Sequence, residues 1–159
     1  MNVPAQTLDH EAIAARIPHR GRMCLLDRVL AWDEVSIRCR ATSHRDADNP
    51  LRDPTGLPPA SGIEYAAQAM AVHGALVASS AGTPRIGYLA SVRGVTLHVG
   101  RLDTISDDLD IRAERVTGDD RSILYTFVVE AAGEPLVSGR AAVVLDVDAR
   151  VAAMPGSRT

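Results

Sequence analysis

One segment limits the possible folds of this chain more than any other. Residues 61–80 form a long helical pattern in which Glu64 is the only formally charged side chain and many of the others are alanine. A helix that is apolar on almost every side has to be buried on almost every side. The rest of the chain must therefore supply a layer that surrounds this helix, and the alanines allow strands or a partner helix to approach it closely.

Strand patterns lie mostly after this helix. Residues 35–42 alternate apolar and polar side chains, which is typical of a half-buried strand, and a turn-rich segment follows at 43–59. Four further strand patterns, separated by turn signals, cover residues 86–99, 108–117, 122–131 and 136–147. A short helix is predicted at 8–17, with Thr7 or Asp9 as its cap.

This order of elements predicts an α+β domain in which an antiparallel meander wraps around the long central helix. We assign residues 1–148 to this single domain and residues 149–159 to a flexible C-terminal tail. The N-terminus lacks the basic head and apolar core of a signal peptide, and no apolar run is long enough for a membrane helix. The sequence therefore predicts a cytoplasmic protein without a membrane partner.

Composition removes several classes of function. The chain contains no lysine, so it can form neither a lysine Schiff base nor a phosphate loop of the Walker A type. A net charge of −3 and an aromatic content of 3% argue against a nucleic-acid partner. Cys24 and Cys39 stand in no CxxC pattern, and no His, Cys and carboxylate cluster has the spacing of a metal site.

Glu64 is the first candidate for a catalytic group. One interpretation is a capping box, in which Ser61 caps the helix and Glu64 reaches back to its N–H. The other is a functional carboxylate, since a charge on an otherwise buried helix needs a partner. In that case Gln68, one turn later, supports Glu64 from the same face, and N–H groups near Gly62 can stabilise an oxyanion.

Histidines supply the second candidate. His44 follows the first strand pattern and leads into the loop before Glu64, so it is either a general base or a solvated loop residue. His73, in the long helix, is interpreted as a hydrogen-bonded core residue. His19 and His98 are interpreted as structural.

Three arginines near the end of the long helix and along the next strand pattern form a modest basic patch, namely Arg85, Arg93 and Arg101. The functional interpretation is a docking site for an acidic partner, and the alternative is a solvated strand face.

Two segments carry a resemblance to a known family. Residues 17–29, IPHRGRMCLLDRV, resemble the N-terminal segment of the hot-dog 3-hydroxyacyl-acyl-carrier-protein dehydratases, and residues 64–70, EYAAQAM, resemble the start of their central helix. Asn49-Pro50 is similar to a short motif of the loop before that helix. Within the family, the chain is similar to the dehydratase-like subunits of aryl polyene biosynthesis clusters.

The resemblance implies a hot-dog fold, a homodimer or a heterodimer with a second hot-dog subunit, and a site at the dimer interface. It implies dehydration of 3-hydroxyacyl thioesters to trans-2-enoyl thioesters, without a metal or bound cofactor. The substrate would arrive on the phosphopantetheine of an acyl carrier protein, in fatty acid or aryl polyene type lipid biosynthesis. The acidic surface of that carrier protein would dock on Arg85, Arg93 and Arg101. Glu64 matches the family's helix carboxylate, and we assign the base to His44.

Two alternatives stay open. The family's Gly-His-Phe-Pro segment would fall near residues 55–58, which are Thr-Gly-Leu-Pro and contain no histidine. That difference favours a non-catalytic or partner-dependent subunit of a heterodimeric dehydratase. The second alternative is a hot-dog acyl-thioesterase in which Glu64 activates water.

Overall fold

The computed structural model describes residues 7–80, 86–119 and 121–146. It contains two α-helices and six strands, with short 3₁₀ helices at Gly21–Met23 and Ser43–Arg45. In chain order these are α1 (His10–Ala14), β1 (Arg28–Trp32), β2 (Ser36–Ala41), α2 (Ser61–Ser80), β3 (Ile86–Leu97), β4 (Leu109–Gly118), β5 (Ser122–Ala131) and β6 (Glu134–Asp146). The predicted C-terminal tail lies outside the described residues.

The six strands form one antiparallel sheet in the order β1-β2-β4-β5-β6-β3. The predicted meander is therefore correct for β4, β5 and β6 but wrong for β3. That strand pairs with β6 rather than with β4, so the connection between β3 and β4 crosses to the other side of the meander. The consequence is that β3 becomes an edge strand beside the C-terminal strand.

Helix α2 packs against one face of the sheet and contacts β2 to β6. Its largest buried side chains, Tyr65 and Met70, join a core to which every strand pair contributes apolar residues at alternating positions. This arrangement confirms the predicted α+β class and the hot-dog architecture, in which a sheet wraps around a long central helix. The predicted bounds of α2 agree with the observed ones.

The N-terminal region differs from the prediction in two respects. Helix α1 covers only His10–Ala14, with the Asp9 carboxylate accepting the Ala12 N–H at 2.9 Å. The Arg16 N–H donates to the Ile13 carbonyl at 2.9 Å instead of continuing the α-helical pattern, and Pro18 disfavours helical geometry at Ile17. The sequence analysis also omitted β1, which pairs with β2 at the edge opposite β3.

Strand β3 is exposed along most of its length. Its neighbour β6 buries alternate side chains, whereas Tyr88, Leu89 and Leu97 of β3 are each more than 40% exposed. Leu89 lies opposite the core residue Val143, and Tyr88 lies opposite the outward-facing Val144, so both faces of β3 carry exposed apolar side chains. No helix in the described part of the chain has the length and apolarity needed to cross a membrane.

Candidate active site

A histidine and a carboxylate meet beside the first turn of α2. His19 Nε2 lies 2.9 Å from Glu64 Oε1, and the two side chains are 25% and 31% exposed. His19 belongs to the irregular segment between α1 and the 3₁₀ helix Gly21–Met23, which runs past the start of α2. The pair is thus half-buried, and the second ring nitrogen of His19, Nδ1, has no hydrogen-bond partner in the described part of the chain.

Gln68 fixes this geometry from one helical turn further along. Its Nε2 donates to Glu64 Oε1 at 3.1 Å and to the Met23 carbonyl at 2.6 Å, and its Oε1 accepts the Leu25 N–H at 2.9 Å. The Gln68 side chain is fully buried. One amide therefore holds the carboxylate in place and connects α2 to the segment that carries His19.

The pair opens into a cavity of about 220 Å³ between α2 and β3. Its further lining consists of small or apolar residues: Pro18, Ala67, Ala71, Gly87, Tyr88, Leu89 and Val143. Ala67 and Ala71 follow Glu64 along one helix face, while an added Cβ at Gly87 would lie 2.8 Å from Val143. The cavity is consequently an apolar groove with a single acid–base pair at one end.

Glu64 is not a helix cap in this structure. Ser61 is the first residue of α2, and its N–H donates to the Pro58 carbonyl at 3.0 Å. The Glu64 carboxylate instead lies 2.9 Å from His19 Nε2 and accepts a hydrogen bond from Gln68 Nε2 at 3.1 Å. The capping-box interpretation is therefore wrong.

The expected oxyanion donor at Gly62 is also corrected. The Gly62 N–H donates to the Pro59 carbonyl at 3.0 Å, so it is not available to a substrate oxygen. The glycine is required for packing, because an added Cβ would lie 2.7 Å from Val137 Cγ2. This close approach brings the start of α2 against β6.

The structure does not bring His44 to Glu64. His44 is fully buried, and its Nε2 donates to the Ile105 carbonyl at 3.0 Å. Burial lowers the pKa of the ring, which favours the neutral form. A base must contact its substrate, so the assignment of His44 as the general base is not supported by this geometry.

His73 and Cys39 are buried in the core, whereas His98 is exposed. His73 is buried between the Tyr125 hydroxyl, 2.7 Å from Nδ1, and the Asp33 carbonyl, 2.8 Å from Nε2, as predicted for a core histidine. His98 is exposed and lies 3.3 Å from the Ser138 hydroxyl. Cys39 is buried, and desolvation raises its pKa to about 12, which makes the thiol unreactive.

Of the three arginines predicted to form a patch, the structure describes Arg93 and Arg101. Arg85 lies outside the described residues. Arg101 forms an ion pair with the Asp103 carboxylate, which is 5% exposed and also accepts the Leu57 N–H at 2.9 Å. The Arg101 guanidinium holds the pKa of Asp103 well below its usual range. Arg93 is exposed on β3.

The side chain beside Glu64 that the sequence analysis did not select is His19, which was interpreted as structural. The available signal was its place in the PHR motif at 18–20, within a segment that carries the family resemblance. Among the described residues, no group of three or more His, Cys, Asp or Glu side chains is arranged to hold a metal ion.

Comparison with solved structures shows the fold. The dehydratase heterocomplex ApeI:P from Xenorhabdus doucetiae is similar with a TM-score of 0.77 and 24% identity, over 88% of this chain and 94% of that chain. A mutant thioesterase from Pseudomonas aeruginosa matches with a TM-score of 0.65 and 15% identity, over 88% and 95% of the two chains. A hypothetical thioesterase with coenzyme A from Streptococcus pneumoniae has a TM-score of 0.56 and 11% identity, over 74% and 84%.

Sequence comparison gives the family. No curated protein matches the chain. Residues 11–153 match the ApeP-like family, described as ApeP dehydratase, and this range includes both His19 and Glu64. The chain therefore belongs to the ApeP-like dehydratase family.

Proposed function

We propose that this protein dehydrates 3-hydroxyacyl thioesters, carried on an acyl carrier protein, to trans-2-enoyl thioesters. The observation that carries the proposal is the contact between His19 and Glu64 at the end of an apolar groove. Elimination of water requires one group to accept a proton and another to protonate the departing hydroxyl. A histidine and a carboxylate within one hydrogen bond of each other meet both needs.

In the proposed reaction, the His19 imidazole removes the C2 proton next to the thioester carbonyl. The C2–H electron pair forms the C2–C3 double bond while the C3–O bond breaks. Glu64 donates its proton to the departing hydroxyl, which leaves as water. The products are an imidazolium and a carboxylate. Release of one proton from the imidazolium to solvent and uptake of one proton from solvent by the second Glu64 oxygen restore the neutral histidine and the carboxylic acid. No metal or bound cofactor takes part.

Gln68 is a positioning residue in this scheme. Its Nε2 donates to Oε1 of Glu64, the oxygen that also faces His19. The second carboxyl oxygen is therefore the one from which a proton reaches the substrate. Ala67 and Ala71 leave room for the acyl chain along α2.

We further propose that the protein works with a second hot-dog subunit, which pairs with the free edge of β3. The groove is bordered by Gly87 and Leu89 of this strand, and Leu89 is 41% exposed. A strand added at this edge would complete the wall of the groove and cover the exposed apolar side chains. The solved ApeI:P structure is itself a heterocomplex, which supports such a partner.

The test is enoyl formation from a 3-hydroxyacyl-carrier protein, followed by mass spectrometry of the acyl arm. Loss of one water is expected, and Glu64→Gln and His19→Gln should each lower the rate by about 100-fold or more. His98→Gln is the matched control because His98 is an exposed histidine outside the groove. Unfolding curves of all three variants show whether a lower rate reflects chemistry or loss of fold.

Other outcomes would reject the proposal. Release of a free acid would identify a thioesterase, in which Glu64 activates water. An unchanged substrate, both alone and with a co-expressed hot-dog subunit, would identify a non-catalytic subunit. Activity that survives both substitutions would show that the His19–Glu64 pair does not perform the reaction.

A further inference from the structure

Two arginines lie side by side at the free edge of the sheet. Arg93 of β3 is directly opposite Arg140 of β6, and both side chains are exposed on the sheet face that points away from α2. Like charges in this cross-strand position repel each other. An added Cβ at Gly94 would lie 3.9 Å from Arg140 Nη2, so the Arg140 guanidinium extends over β3 toward its unpaired edge.

No carboxylate in the described part of the chain neutralises this pair. The row of residues that contains it runs across the sheet from Arg93 through Arg140 and Thr126 to Glu114. Glu114 is two strands from Arg140, which is about 9.6 Å at the usual strand spacing. A shallow cavity of about 250 Å³ lies between the two arginines and Leu124.

A second copy of the chain cannot supply the missing negative charge at this edge. Residues 86–97 contain one arginine and no aspartate or glutamate. A two-fold axis normal to the sheet keeps the outward faces of both copies on one side, so self-pairing would place four arginines on a continuous surface. This holds for every register, since no position of β3 carries an acidic side chain.

We propose that the strand that pairs with β3 belongs to a different chain and presents carboxylates to Arg93 and Arg140. The inference rests on the proposed pairing of a second hot-dog subunit at this edge, and it names the chemistry of that partner. The carboxylates bind in the cavity between the two guanidinium groups, where each arginine can form a charge-assisted hydrogen bond. The same two arginines repel those of a second copy of this chain. The arginine pair therefore favours the acidic partner and disfavours the homodimer.

Charge reversal tests this selection without the natural partner. The double variant Arg93→Glu, Arg140→Glu places carboxylates at this edge of the sheet, as we propose for the partner. Mixed with wild type, it should form a mixed dimer with a dissociation constant at least about tenfold lower than that of either homodimer. Native mass spectrometry separates the three species by mass. The matched control is Arg28→Glu, Arg40→Glu, which reverses a cross-strand arginine pair at the opposite edge.

Salt provides the second measurement. Wild-type self-association should strengthen as the NaCl concentration rises from about 0.05 M to about 0.5 M, because screening weakens the repulsion. The mixed dimer should weaken over the same range. A tight wild-type homodimer that salt does not affect, together with no preference for the mixed dimer, would overturn the proposal and identify a second copy as the occupant. Enoyl formation is measured in a separate assay. A negative result with the charge-reversal variants therefore does not decide whether the protein is a dehydratase.

Discussion

Replacement of Gln68 by methionine should affect stability and catalysis together. Methionine has a similar length but no group to bond with the Leu25 N–H, the Met23 carbonyl or Glu64. Leu25 is fully buried, so its N–H loses its only partner at a cost of about 1–3 kcal/mol, and the half-buried Met23 carbonyl adds about 1 kcal/mol. The free energy of unfolding should fall by about 2–4 kcal/mol.

Urea unfolding measures this loss at a fixed protein concentration, since assembly changes the apparent stability. For a chain of this length, about 3 kcal/mol corresponds to a Tm about 6–12 °C lower. The rate of enoyl formation should fall about tenfold to a hundredfold, because the segment that carries His19 loses its anchor on α2. Ser79→Met, at the exposed end of the same helix, should change neither quantity.

Two results would refute this reasoning. An unchanged free energy of unfolding would show that the Leu25 N–H and the Met23 carbonyl find other partners. A lower stability with an unchanged rate would show that the position of His19 does not depend on Gln68.

Further predictions concern burial and packing. Burial lowers the pKa of both His44 and His73 below the usual value of about 6.5, so the unfolded chain binds protons first as the pH falls. The stability from the neutral rings is complete above about pH 6.5 and is lost below it, by up to about 1.4 kcal/mol per pH unit for each ring. Urea unfolding between about pH 7.5 and 5.5 checks this, and His44→Gln should flatten the slope. Gly62→Ala should lower the free energy of unfolding by about 1–3 kcal/mol in thermal or urea unfolding, because the new Cβ would lie 2.7 Å from Val137; an unchanged Tm would contradict the packing argument.

The sequence predicted the elements whose signals are local. Helix α2 is a continuous apolar run between a proline-rich loop and a glycine-containing segment, and β5 lies between two turn signals, so their bounds agreed with the structure. Strand β1 has only five residues, and its partial burial depends on β2 and the N-terminal segment. The side chains of β1 therefore show no alternation of apolar and polar residues from which the strand could be predicted.

The candidate site shows the same limit. Glu64 could be identified because a charge stands out in an apolar helix, and Gln68 because it lies one turn away. The histidine that contacts Glu64 could not be identified in this way. His19 is 45 positions from Glu64 and His44 is only 20, so distance along the sequence favoured His44. What brings His19 to Glu64 is a pair of hydrogen bonds in which Gln68 donates to the Met23 carbonyl and accepts the Leu25 N–H. Almost any residue at positions 23 and 25 could offer the same backbone groups, so these contacts cannot be recognised from the sequence.

The exposed edge of β3 also affects how the chain behaves before it is assembled. A long strand with unpaired backbone groups is a template for aggregation, and natural edges are often protected by proline or lysine. Strand β3 has neither, and Arg93 is its only charged residue. On the proposed pairing, repulsion between arginines is the main protection of these edges before the partner strand is added, and salt screens that repulsion. Because this protection is incomplete, a cell that makes the chain in excess of the proposed partner should accumulate aggregates or degrade the surplus, which favours balanced synthesis of the two chains.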